Sequence, residues 1–69
     1  MQAEIEMTRS DSQETFIGRL KRKPSAGYWV LSLHGNGQDF KSEADAQYAV
    51  DDFKGNLPST HKVTKVSFY

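Results

Sequence analysis

The sequence predicts an α+β fold: an antiparallel β-meander of three or four strands, one α-helix packed on one face, and a C-terminal strand returning to the sheet. Two patterns carry this expectation. Residues 15–23 and 28–34 alternate apolar and polar side chains with the period of two that marks a half-buried strand. Ala46, Ala49, Val50 and Phe53 then recur at helical spacing, which gives a helix one face for the sheet. Length agrees, since 69 residues make a single domain (1–69) that buries only about 60% of the surface its unfolded chain exposes.

The opening QAEIEMT alternates Ala3, Ile5 and Met7 with Glu4, Glu6 and Thr8. This reads equally as a strand and as a frayed terminus, so residues 1–14 are expected to be an edge strand or a loose N-terminal arm. In residues 15–23, Phe16, Gly18 and Leu20 face inward, and Ile17, Arg19 and Lys21 face out. PSAG at 24–27 reverses the chain, with Pro and Gly supplying turn geometry. The next strand turns Trp29, Leu31 and Leu33 inward and Tyr28, Val30, Ser32 and His34 outward. HGNGQ is the second reversal, its Gly35-Asn36-Gly37 suited to positive φ, and QDFK is a short third strand with Phe40 pointing in. Ser42 and Asp45 have capping-box spacing, and Gly55 stands where a C-cap glycine belongs. Leu57 anchors the following loop, and residues 62–69 form the returning strand with Val66 and Phe68 inward.

Nine basic and nine acidic residues cancel, so the chain as a whole has no field that would concentrate it on nucleic acid or an anionic membrane. The absence of cysteine fits a reducing compartment, and no apolar run is long enough to span a bilayer or serve as a secretory leader. A cytoplasmic location is expected. Because it begins at Met1 and ends on a strand, the chain reads as a complete small gene product.

Catalytic chemistry is thin. His34 and His61 lie near turns without metal-ligand or carboxylate-histidine spacing. Ser32 has no nucleophile elbow around it, and GNG precedes a strand where a phosphate loop would precede a helix. Asp51 and Asp52 diverge by about 100° on a helix, which does not aim them at one ion. Neither an enzyme, nor a metal site, nor a cofactor is expected.

Two surfaces stand out. The outer sheet face and the hairpin tip collect Arg19, Lys21, Arg22, Lys23, Tyr28, Lys65 and Tyr69, a basic field with aromatics of the kind that holds single-stranded nucleic acid. The outer helix face carries Tyr48 among Asp45, Asp51 and Asp52. The last two sit where the macrodipole disfavours anions, and residues that weaken a helix without a packing reason point to function. An exposed Tyr ringed by carboxylates has the form of an interface anchor for a basic protein.

The run from Gly27 to Phe53, GYWVLSLHGNGQDFKSEADAQYAVDDF, resembles the sheet-then-helix DNA-binding modules of arm-type integrase domains and plant APETALA2-type domains. It is also similar, more loosely, to HicB-type antitoxin half-barrels. The aromatic-rich strand, the Gly turn and the FKSEADA helix start carry the likeness, which implies contact with DNA. The added C-terminal strand and the neutral net charge depart from that pattern. By size, though by no motif, the chain is similar to phage-encoded inhibitors such as anti-CRISPR proteins. The expected function is therefore a stand-alone, non-enzymatic inhibitor or regulator acting by protein-protein contact through Asp45, Tyr48, Asp51 and Asp52. Its partner would be a protein with a basic surface, such as a nucleic-acid-handling complex. A nucleic-acid-binding module is the alternative, and a homodimer is an expected assembly for so small a core.

Overall fold

A computed structural model describes residues 1–23, 25 and 27–69; the turn expected at 24–27 therefore falls partly outside the described residues at Pro24 and Ala26. The elements are β1 (Ala3–Arg9), β2 (Thr15–Arg22), β3 (Trp29–Ser32), α1 (Glu43–Gly55) and β4 (His61–Phe68). The strands form one antiparallel sheet in the order β3-β2-β1-β4, with the C-terminal strand paired to β1. This is the expected α+β architecture, and β1 takes a central place in it.

That place decides between the two readings of the N-terminus. Ala3, Ile5 and Met7 point to the helix side and are buried, Ala3 and Ile5 completely. Their neighbours pair on both flanks: Ile5 stands opposite Gly18 on one side and Val66 on the other. Flanked by two strands, β1 is neither an edge nor frayed.

The β1–β4 register slips between Glu6 and Met7, because Glu6 faces Lys65 while Met7 faces Val63. Thr64 is the extra residue of this bulge, and its hydroxyl donates to the Glu6 carbonyl at 3.2 Å. Val63 and Val66 are three apart and would otherwise lie on opposite faces. The bulge turns Val63, Val66 and Phe68 all toward α1, where they pack against the core.

The third meander strand is absent. Residues 36–40 carry no strand structure and form a connector that leaves β3, crosses the sheet and reaches the helix. A Cβ on Gly35 would lie 3.1 Å from Ser32 Oγ, and one on Gly37 only 2.6 Å from Arg19 Cβ. Both neighbours are side chains of the face away from the helix, so the connector runs over that face. It then enters between the ends of β1 and β2. The Gln38 N–H donates to the Leu20 carbonyl at 2.9 Å, the Phe40 N–H donates to the Met1 carbonyl at 2.6 Å, and the Arg22 N–H donates to Gln38 Oε1 at 3.1 Å. Phe40 emerges on the helix side, buried and 5.9 Å from the Trp29 ring centroid.

Two glycine expectations change accordingly. Gly35-Asn36-Gly37 does not take positive φ; among the described residues that region is occupied by Gln13 and Gly27. Gly37 is required instead by close approach to β2. Leu33, expected inside, lies beyond the end of β3, leaning over Gly18 and 49% exposed.

The helix begins as its capping box predicts, with Ser42 Oγ accepting the Asp45 N–H at 3.2 Å. It buries Ala46, Ala49, Val50 and Phe53. At the other end Gly55 is the last helical residue and Asn56 the cap, with Asn56 Nδ2 donating to the Asp52 carbonyl at 2.9 Å. Gly55 therefore needs no left-handed conformation. No helix among the described residues is long and apolar enough to cross a membrane.

Candidate protein-binding surfaces

The two surfaces marked in the sequence differ in what the fold does to them. On the face away from the helix, the place of β1 puts Glu4 and Glu6 between the basic residues of β2 and β4. Glu4 faces Arg19, and Glu6 faces Lys65. Arg19 Nε donates to Glu4 Oε2 at 3.2 Å and Arg19 Nη1 to Gln2 Oε1 at 2.7 Å, while the guanidinium lies 4.9 Å from the Tyr69 ring centroid. The basic field is thus broken by a central acidic row. A stacking face of Tyr69 is occupied by Arg19, and the connector lies over part of the sheet. Phosphates would meet carboxylates here, and a base would compete with a guanidinium. Pattern reading missed this because it left residues 1–14 unplaced; the alternation of Glu4 and Glu6 in a strand was the available signal.

Lys21, Arg22, Lys23 and Tyr28 are exposed at the hairpin end, but Arg22 does not share a face with Lys21. It stands opposite Trp29 on the helix side, its guanidinium 5.0 Å from the Trp29 ring centroid. At the edge of the same ring, Trp29 Nε1–H donates to Asp52 Oδ2 at 2.9 Å. The hairpin tip and the end of α1 are therefore joined, and Asp52 has the packing reason that the sequence did not reveal. A groove of about 320 Å³ opens beside this contact, between Tyr28 and Trp29 on the hairpin and Phe53, Asn56 and Leu57 at the helix end.

The outer face of α1 retains Tyr48, Asp45 and Asp51. Tyr48 is 75% exposed. Helical geometry sets Asp45 and Asp51 about 60° to either side of it. Asp51 Oδ1 accepts from Gln47 Nε2 at 3.0 Å, one turn back, which orients its carboxylate along the helix. Asp45 lies in the first turn, where the macrodipole favours an anion.

No family model, curated protein or solved structure matches this chain.

Arg9 Nη2 and Asp11 Oδ2 are 2.8 Å apart in the β1–β2 turn, and this bond holds the Asp11 carboxyl below its ordinary value. His61 lies at the start of β4 with Nδ1 3.0 Å from Thr60 Oγ1, and His34 is exposed on the connector. Among the described residues no three His, Asp or Glu side chains gather as a metal site would require.

Proposed function

We propose that the chain is a non-enzymatic binding protein of the cytoplasm, an inhibitor or regulator of a protein with a basic surface, acting through the outer face of α1. The observation that carries this reading is Tyr48. At 75% exposure it is the most exposed of the large hydrophobic side chains, it serves no core contact, and it stands between two carboxylates. Tyr combines large apolar area with few rotatable bonds, which makes it a frequent anchor at the centre of interfaces, and flanking charges select the partner by sign. Asp45 and Asp51 would meet Lys or Arg of that partner. A nucleic-acid-handling protein is one class with such a surface.

The test is capture of the partner by immobilised wild-type chain and by Tyr48→Ala and Asp51→Asn, with and without nuclease, over a salt series. The expected result is nuclease-resistant capture of a basic protein, weakened by salt. Removing an anchor of this kind costs about 2 kcal/mol or more, a loss of roughly thirtyfold in affinity, so Tyr48→Ala should lose capture at unchanged thermal midpoint. Capture that ignores salt and both substitutions would overturn the reading. Capture abolished by nuclease would transfer the function to the basic residues of the hairpin tip and open face.

A further inference from the structure

We propose that two copies of this chain pair through the free edge of β3, joining their sheets into one continuous antiparallel sheet. The inference does not depend on the role given to α1.

The two edges of the sheet are treated differently. The β4 edge carries Lys62, Lys65 and the Thr64 bulge, all devices that discourage a further strand. The β3 edge has none of them. Its residues Trp29–Ser32 contain no charge and no proline, and its register with β2 is regular from Arg22↔Trp29 to Arg19↔Ser32.

Main-chain geometry says which groups are free there. The Lys23 N–H donates to the Tyr28 carbonyl at 3.0 Å, and antiparallel pairs exchange hydrogen bonds at every second position. Val30 and Ser32 therefore turn their N–H and C=O groups to β2, and Trp29 and Leu31 turn theirs outward. A copy related by a two-fold axis through Leu31, perpendicular to the sheet, brings Leu31 opposite Leu31 of the copy. Trp29 then falls opposite Leu33 of the copy.

The side chains fit the same axis. Leu33 leans on Gly18 but stays half exposed, and the groove beside Trp29 has apolar walls in Trp29, Phe53 and Leu57 with Asp52 and Asn56 at its polar side. Each stands two residues from Leu31, about 7 Å along the strand, on the helix side of the sheet. The axis that pairs the backbones also brings each Leu33 alongside Trp29 of the other copy, so apolar surface meets apolar surface twice. Charge does not oppose it. The Asp52 carboxylates, each bound to its own Trp29, would stand four positions apart, about 13 Å, beyond a Debye length at ordinary ionic strength. Pairing over so short a strand buries less than the area of a standard interface, so the dimer belongs to the weak class, with a Kd of order micromolar or above. Both helices then lie on one side of the joined sheet and present their outer faces together.

Sedimentation equilibrium of the untagged chain from about 5 to 500 μM tests this, together with amide hydrogen exchange over the same range. The expected result is a rise from the mass of one chain to twice that mass, with slowing of exchange at Trp29 and Leu31 as concentration increases. Leu33→Lys puts a charge on an exposed position and should shift the association at least tenfold to higher concentration. A chain that stays monomeric throughout overturns the proposal. So does a dimer that survives Leu33→Lys, or one whose protection gain falls on β4 amides. The exchange measurement on the wild-type chain decides the matter even where Leu33→Lys fails to fold.

Discussion

The carboxylate of Asp52 lies in the last turn of α1, where an exposed anion loses a few tenths of a kcal/mol to the macrodipole. The indole N–H of Trp29 bonds it at 2.9 Å, a contribution of about 1 kcal/mol that outweighs the loss. Asp51, its neighbour, bonds only along its own helix, to Gln47. The pair therefore separates by substitution. Asp52→Ala should lower stability by about 1 kcal/mol, or roughly 4–8 °C in the thermal midpoint of a domain this size. Asp51→Asn should leave the midpoint level or raise it by a degree or two. Urea or thermal unfolding of the two variants checks this, and equal midpoints would deny the Trp29 bond any weight. The sequence showed that both aspartates break a helix rule; it could not show that one is compensated, because the compensating group lies 23 positions away with no periodic relation to the helix.

At the level of elements, what was legible follows from local pattern. The period-two runs placed β2 and β3, and the Ser42–Asp45 spacing placed the start of α1. The connector was illegible because its contacts reach across many positions: Gln38 to Leu20, Gly37 to Gln2, Phe40 to Met1. Phe40 was rightly expected inside, yet by a route no alternation could announce. Glycine substitutions separate the two geometries. At Gly37 an added methyl overlaps Arg19 Cβ and comes within 2.9 Å of the Leu20 carbonyl, so Gly37→Ala should cost about 1–3 kcal/mol. At Gly55 the space is open and the backbone helical, so Gly55→Ala should gain roughly 0.5–1 kcal/mol. Had Gly55 been the left-handed cap that its position implies, that substitution would destabilise. Thermal midpoints of the two variants, measured side by side, give the signs.

The whole molecule is a four-stranded sheet with one covered face and two unlike edges. Its sequence-level balance of charge is local in effect, since Lys62 and Lys65 guard the longer edge strand. Replacing both, Lys62→Thr with Lys65→Val, should produce concentration-dependent light scattering at temperatures where the wild-type chain stays clear. Unchanged scattering would assign protection to the Thr64 bulge alone. The candidate binding face was legible because Tyr48 opposes a complete core stripe on its own helix. The open sheet face was misjudged because its middle row, Glu4 and Glu6, belongs to the strand that the sequence left undecided. The central place of β1 bears also on the order in which the chain acquires its shape. Glu6 and Thr64 are bonded across 58 positions, so β1 can close its second flank only after β4 has been made. Until then Ile5 and Met7 belong to a β1–β2 hairpin with one flank bare, and the sheet stays open on that side.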